Sequence, residues 1–162
     1  MGQNIKITDA PLQVIRTVND KLMSYNVEMT EVTGGTFWKA YTPEQIAGTE
    51  KFSVGGASDI AAAMANLMQM YEPIDLYNEK LRKLAKEFGP VWVRVSGTWA
   101  TKTFYAFDGE EAPEGYQNVL SKEQWIGVLD FVKAIGAKLL ISVANCEGLH
   151  AHDEPFNVSQ AE

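Results

Sequence analysis

Residues 121–144 read SKEQWIGVLDFVKAIGAKLLISVA, a helix pattern followed directly by a strand pattern. Ser121 and Gln124 have the spacing of a capping box, which satisfies backbone N–H groups at the start of a helix. The predicted apolar face of this helix consists of Trp125, Val128, Leu129, Val132 and Ile135. Gly136 is predicted to end the helix, and the apolar run 139–144 is typical of a buried strand.

The same order of helix and strand occurs upstream of this stretch. Asp75 is predicted to cap a helix that Gly89 and Pro90 end, and residues 91–95 follow as a short β-branched strand. Its apolar face is predicted to consist of Tyr77, Leu81, Leu84, Ala85 and Phe88. Strands that alternate with amphipathic helices indicate an α/β fold with parallel strands covered by helices.

A further strand is predicted over residues 25–32, with polar and apolar residues in alternation. Asn26, Glu28 and Thr30 would share one face, and polar side chains on a central strand need a wet environment such as a cleft or barrel mouth. Residues 60–71 have the apolar spacing of a helix, and residues 5–17 are expected to form one or two strands outside the βα series.

The predicted elements make three βα units, the third unfinished, whereas a (β/α)8 barrel needs eight. Residues 157–160 resemble the first turn of a helix. We therefore expect residues 21–162 to be the first part of a (β/α)8 TIM barrel, truncated before its fourth strand. Residues 1–20 are expected to be an N-terminal β segment.

Composition restricts the function only broadly. The chain has 162 residues, 46% of them hydrophobic and 22% charged, which is ordinary for a globular protein. Its formal charge of −7 disfavours nucleic acid as a partner, and no apolar run is long enough for a membrane helix. The start has no signal-peptide pattern, and the single Cys146 excludes an internal disulfide. The compartment stays open, and no cofactor is predicted.

Three stretches in order resemble glycoside hydrolase family 79, the family of heparanase and related β-glucuronidases. They are YNVEMT at 25–30, RVSGT at 94–98 and LISVAN at 140–145 followed by FNVSQA at 156–161. They are similar to the family's first three barrel strands. The resemblance implies a (β/α)8 barrel with an added β-sandwich, to which the N-terminal segment contributes.

The same resemblance implies a retaining glycosidase that acts on β-linked uronic acids. Such enzymes use two carboxyl groups about 5 Å apart, one as general acid/base and one as nucleophile. In the family both catalytic Glu residues follow later strands. No catalytic residue is therefore predicted in this chain, which we expect to be an inactive N-terminal portion. Glu28 and Ser96 stand where the family usually has Asp and Gly, and the acidic chain disfavours a sulfated polymer as substrate.

Four residues are predicted to bind carbohydrate in the full-length parent: Glu28, Thr98, Asn145 and Trp99. Glu28 would lie at the carboxyl end of the first strand, where barrel active sites form. It could accept hydrogen bonds from sugar hydroxyls or pair with Arg94, and both roles stay open. Thr98 corresponds to a sugar-contacting family residue or belongs to a turn. Asn145 could line the cleft or cap a loop, and Trp99 could stack on a sugar or cover the barrel rim.

Two other functions are possible from the sequence. The chain could be a non-catalytic carbohydrate-binding or assembly module, in which a second copy or another chain completes the open sheet edge. It could also be an unrelated small α/β enzyme whose site includes Glu28 and the region of His150. His150, His152, Asp153 and Glu154 lie close in sequence, but their surroundings resemble a loop, and no metal site is predicted.

Overall fold

The computed structural model describes residues 13–50, 67–146 and 155, which form a mixed α/β structure. The strands are β1 (Ser24–Glu28), β2 (Gly35–Trp38), β3 (Met68–Tyr71), β4 (Trp92–Ser96), β5 (Thr103–Ala106), β6 (Asn118–Ser121) and β7 (Lys138–Ile141). The α-helices are α1 (Met29–Thr33), α2 (Pro43–Ile46), α3 (Glu79–Glu87) and α4 (Lys122–Ala134), and a 3-10 helix spans Ala100–Lys102. None of these helices has the length and apolarity needed to cross a lipid bilayer.

The central sheet consists of β1, β4 and β7, in that spatial order. β4 pairs with β1 on one side and with β7 on the other, and both pairings are parallel. In the chain, α3 precedes β4 and α4 precedes β7. The predicted succession of parallel strands and helices is therefore confirmed, and the strands of the described ranges close no barrel.

The helix α4 forms as its sequence predicts. Ser121 Oγ accepts the Gln124 N–H at 3.2 Å, and Gln124 Oε1 accepts the Ser121 N–H at 2.9 Å, which completes the capping box. The helix ends before Gly136, whose φ of +70° suits a residue without a side chain. Its buried apolar residues are Val128, Phe131, Val132 and the capping Ile135. Leu129, predicted on the buried face, is 43% exposed, whereas Phe131, which was not predicted there, is buried.

The helix α3 begins three residues later than predicted and buries a narrower face. Asn78 is its N-cap, because Asn78 Oδ1 accepts the Leu81 N–H at 3.0 Å. Asp75 instead accepts the Tyr77 N–H in the preceding turn. Ala85 is buried, but Leu84 and Phe88 are 56% and 61% exposed, at the edge of the covered region.

The strand predicted over 25–32 ends early, at Glu28, and the residues after it form the helix α1. β1 ends at Glu28, which is the N-cap of α1, and the Glu28 N–H donates to Glu31 Oε2 at 2.9 Å. Met29 and Val32 then lie on one helical side and are buried. Thr30 is therefore not on a strand face with Asn26 and Glu28, as the alternation suggested.

The helix predicted over 60–71 is also wrong where the structure describes it. Residues 68–71 form β3, which pairs antiparallel with β2, while 60–66 lie outside the described residues. In a short segment, apolar spacing fits a helix or a strand equally well. Here the pairing with β2 stabilises a strand. Of the N-terminal segment 1–20, only 13–20 are described, and these form no strand.

The core lies on one face of the central sheet. Tyr25, Val27, Val93 and Val95 point toward α3 and α4, since they line an apolar cavity of about 200 Å³ with residues of both helices. Side chains alternate along a strand, so Asn26, Glu28, Trp92, Arg94, Ser96, Lys138 and Leu140 belong to the opposite face. We call the first the covered face and the second the open face.

Candidate functional site

The open face is polar where β1 and β4 end. The parallel register sets Asn26 beside Arg94 and Glu28 beside Ser96. Three of these four side chains can make hydrogen bonds toward solvent, because only Ser96 is fully buried. The carboxyl end of a parallel sheet is where α/β proteins bind ligands, so this end is the candidate site.

Asn26 is the centre of the polar contacts on this face. Its Oδ1 accepts Arg94 Nη1 at 3.2 Å and also accepts the Ser96 hydroxyl. Both donors bond the amide oxygen, which leaves the NH2 group of Asn26 as a further donor. Arg94 keeps further N–H donors, because a guanidinium carries five. The face therefore presents a cation and amide donors held in one geometry.

Glu28 connects β1 to the loop that follows β4. Its Oε1 accepts the backbone N–H of Trp99 at 3.1 Å. The carboxylate lies against the Cα of Gly97, where a side-chain carbon would overlap it. Its side chain also faces the Glu31 backbone N–H in the capping box of α1. No Glu28–Arg94 ion pair forms, because the register sets Arg94 beside Asn26, two residues before Glu28.

The remaining predicted site residues lie around the segment 98–101. Thr98 is exposed, and its carbonyl accepts the Thr101 hydroxyl at 2.7 Å. Asn145 is exposed and donates its backbone N–H to the carbonyl of Thr101 at 3.0 Å. The structure thus brings Glu28, Thr98 and Asn145 to one end of the sheet.

Trp99 has contacts with the hydrophobic core and with a lysine. It packs against the hydrophobic core, and Lys102 Nζ lies 5.4 Å from the centre of its ring. A sugar that stacked on the ring face next to Lys102 would have to displace the lysine. The contacts favour the rim-covering role for Trp99 over direct stacking.

Tyr105 supports the third strand of this end from the covered side. Its hydroxyl donates to the Ser142 carbonyl at 2.8 Å, just after β7. Burial raises the pKa of Tyr105 to about 12, so the hydroxyl stays protonated, and able to donate, to a higher pH than an ordinary tyrosine does. The position of the segment that leads to Asn145 therefore rests on a stable hydrogen bond.

The arrangement can bind polar groups but holds one carboxylate. Among the side chains of β1, β4 and β7, Glu28 is the single acid. Retaining hydrolysis of a glycoside needs two carboxyl groups about 5 Å apart. Across 13–50 and 67–146, no three His, Cys, Asp or Glu side chains gather where a metal ion could bind. His150, His152, Asp153 and Glu154 lie outside the described residues.

The predicted site residues do not include Asn26, Ser96 or Gly97. Asn26 shares the polar side of β1 with Glu28, and this alternation could have identified it. The contact of Gly97 with Glu28 joins residues far apart in the chain, and no local pattern indicates it.

Comparison with known proteins identified no relative of this chain. No protein-family model, no curated protein and no solved structure matches the chain.

Proposed function

We propose that the chain forms the first three βα units of a (β/α)8 glycoside hydrolase that acts on β-linked uronic-acid glycosides. In this role the chain supplies one wall of the carbohydrate cleft, including Glu28 and Thr98. The observation that carries the proposal is the parallel sheet with one covered face and one open, polar face. The resemblance to glycoside hydrolase family 79 gives the proposal its substrate class.

The one-sided covering of the sheet supports a barrel. Parallel sheets are normally buried on both faces, by helices in open sheets or by their own curvature in barrels. Here the helices α3 and α4 cover one face, and polar or charged side chains dominate the other. In a barrel, the face opposite the helices points inward, and its carboxyl end forms the active site. Across the sheet the strands lie in chain order, β1–β4–β7, and parallel crossover connections join them, as they join successive strands of a barrel.

The chemistry of the open face suits an anionic sugar. A uronic acid carries one carboxylate beside several hydroxyls. Arg94 offers charge-assisted N–H donors to a carboxylate, and Asn26 offers amide donors to hydroxyls. Glu28 has acceptor capacity beyond the bond from Trp99, since a carboxylate has about four lone-pair sites.

The proposal assigns binding to this chain and excludes hydrolysis by it alone. Glu28 is the one carboxylate on β1, β4 and β7, and it is engaged with the Trp99 N–H. In the family, both catalytic carboxyl groups belong to later strands. We therefore expect no turnover of a glycoside by the purified chain.

The test is a titration of the purified chain with an aryl β-glucuronide, followed by NMR, with the matching aryl β-glucoside as control ligand. We expect the glucuronide to shift the amide signals of residues 94–99 and the glucoside to bind at least about tenfold more weakly, because it lacks the carboxylate. Arg94→Ala should remove this preference, whereas Lys83→Ala, an exposed cation on α3, should leave it unchanged. Equal binding of the two ligands, or turnover above background, would contradict the proposal.

A second function, an assembly module, is favoured by the apolar residues of the open face. Trp92 and Leu140 are 37% and 52% exposed there, and within the described residues β1 and β7 each pair with β4 alone. A second copy could cover these groups. Sedimentation analysis distinguishes the two functions: a dimer that Leu140→Lys dissociates supports assembly, and a monomer at all concentrations opposes it.

A further inference from the structure

Gly97 stands directly after β4, at the point where the chain turns toward Thr98 and Trp99. Its φ is +102°, a conformation that L side chains rarely adopt. A Cβ atom added at Gly97 would coincide with the Glu28 carboxylate, and all three of the nearest atoms belong to that group. The Glu28 carboxylate thus occupies the space that a side chain at residue 97 would need.

The space at Gly97 allows the Glu28 side chain to take up one particular orientation. With its carboxylate over the Cα of Gly97, Glu28 Oε1 reaches the backbone N–H of Trp99 at 3.1 Å. The carbonyl of Trp99 in turn accepts the Thr103 hydroxyl at 2.8 Å, and the carbonyl of Thr101 accepts the Asn145 N–H. A displaced carboxylate would release the Trp99 N–H and with it the first anchor of the segment 98–101.

We infer that Gly97 is a positioning residue, which orients the Glu28 carboxylate and thereby the rim formed by residues 98–101. The effect on a sugar ligand rests on the proposed function, whereas the effect on Glu28 and Trp99 does not. Any side chain at residue 97 has two costs, one from the positive φ and one from the overlap with Glu28. A glycine that has a positive φ but no close neighbour allows the backbone cost to be measured without the overlap.

Gly109 is the matched control, because its φ is +80° and a Cβ there would meet nothing within 4 Å. Gly109→Ala should lower the folding equilibrium constant about five- to thirtyfold, the cost of a left-handed L residue. Gly97→Ala should lower it about tenfold further than Gly109→Ala does, because the Glu28 carboxylate must also move and lose its bond to the Trp99 N–H. Urea unfolding of the full chain measures both.

A double-mutant cycle separates the overlap from other effects at Gly97. In a Glu28→Ala background the space is empty, so Gly97→Ala should cost no more than Gly109→Ala does. Glu28→Asp, with a shorter side chain, should relieve the Gly97→Ala variant in part. If Gly97→Ala alone does not fold, the Glu28→Ala/Gly97→Ala variant should still fold. Failure of both, or an equal cost of Gly97→Ala in both backgrounds, would overturn the inference.

The backbone amide signal of Trp99 reports positioning directly. In a ¹⁵N-correlated NMR spectrum, Gly97→Ala should move this signal as Glu28→Ala does, and Gly109→Ala should not. The affinity for the aryl β-glucuronide should fall at least about tenfold in Gly97→Ala and stay unchanged in Gly109→Ala. If the unmodified chain binds no glucuronide, the proposed function fails, while the cycle and the Trp99 signal still decide the role of Gly97. An unmoved Trp99 signal in Gly97→Ala would contradict that role.

Discussion

The covered and open faces of the central sheet differ although the same three strands form both. On the covered face, Val93 and Val95 are 1% and 2% exposed, and they pack into one core with residues of α4. On the open face, Arg94 lies between them in sequence, is exposed and contacts Asn26. One face thus has its packing partners within the described chain, and the other presents polar groups outward. Stability is expected to come from the first face and recognition from the second.

The largest expected effect comes from placing the same amide on each face. Val93→Asn should cost about 3–5 kcal/mol of unfolding free energy, because it loses apolar burial and leaves an amide without partners. Arg94→Asn, the next residue, should cost about 1 kcal/mol or less, since its side chain is exposed and loses one hydrogen bond. Urea unfolding of the two variants provides the measurement. Similar losses from both would mean that the two faces do not differ as described.

The second largest effect should be a fall in the unfolding free energy at high pH, caused by ionisation of Tyr105 on the covered side. Burial raises the pKa of Tyr105 to about 12 from the 10.0 of an ordinary tyrosine, so the folded state favours the protonated phenol. Its contribution to stability is complete below pH 10 and is lost as the pH rises through 12, a loss of up to about 3 kcal/mol.

The measurement for Tyr105 is the unfolding free energy between pH 8 and pH 12, compared with that of Tyr105→Phe. Burial also raises the pKa of Tyr25 and Tyr116, so the difference between the two proteins isolates Tyr105. The curves should converge and then cross as the pH rises, because the variant is less stable at pH 7 but has no phenol at residue 105 to ionise. Parallel curves would show that the Tyr105 hydroxyl is not desolvated.

The polar contacts of the open face should give a smaller and asymmetric effect. Asn26→Ala leaves the fully buried Ser96 hydroxyl without its acceptor, which should cost about 1–2 kcal/mol. Ser96→Ala leaves the exposed Asn26 free to bond water, so it should cost about 1 kcal/mol less than Asn26→Ala. The double variant should resemble Ser96→Ala. Thermal unfolding tests the order, and a greater loss from Ser96→Ala would contradict it.

The features that sequence patterns predicted well are those that nearby residues determine. The capping box at Ser121 and the stop at Gly136 act within one turn of α4, so a short stretch contains all the necessary information. The β-branched run 91–95, expected to be a buried strand, did become β4, but Trp92 and Arg94 on it are exposed. Its alternation of Val93, Arg94 and Val95 already indicates one apolar and one polar side.

The features that were missed are of two kinds: the end of β1 is local, whereas the contacts of Glu28 beyond α1 join distant parts of the chain. The polar alternation continues past Glu28 to Thr30, yet β1 ends at Glu28 because the capping box with Glu31 starts a helix there. The pairing of Glu28 with Arg94 was a reasonable alternative, but the strand register, which the sequence does not contain, sets Arg94 beside Asn26. The bond between Glu28 and the Trp99 N–H joins residues 71 positions apart. Such contacts become predictable only once the pairing of β1 with β4 is known.

The smallest expected effect concerns a buried hydroxyl on the covered face that has no hydrogen-bond partner. The Tyr25 hydroxyl is buried there and has no hydrogen-bond partner, beside the apolar cavity that Leu84 and Phe88 also line. Tyr25→Phe removes a polar atom that lost its water on folding, so it should stabilise the chain by up to about 1 kcal/mol. Tyr105→Phe is the matched control, because its hydroxyl bonds the Ser142 carbonyl, and it should destabilise by about 1 kcal/mol at pH 7. The opposite signs follow from the partner alone, since both changes delete one phenolic oxygen from a side chain in the same core. A loss of stability in Tyr25→Phe would mean that its hydroxyl has a partner after all, and that the covered face is less apolar than its lining indicates.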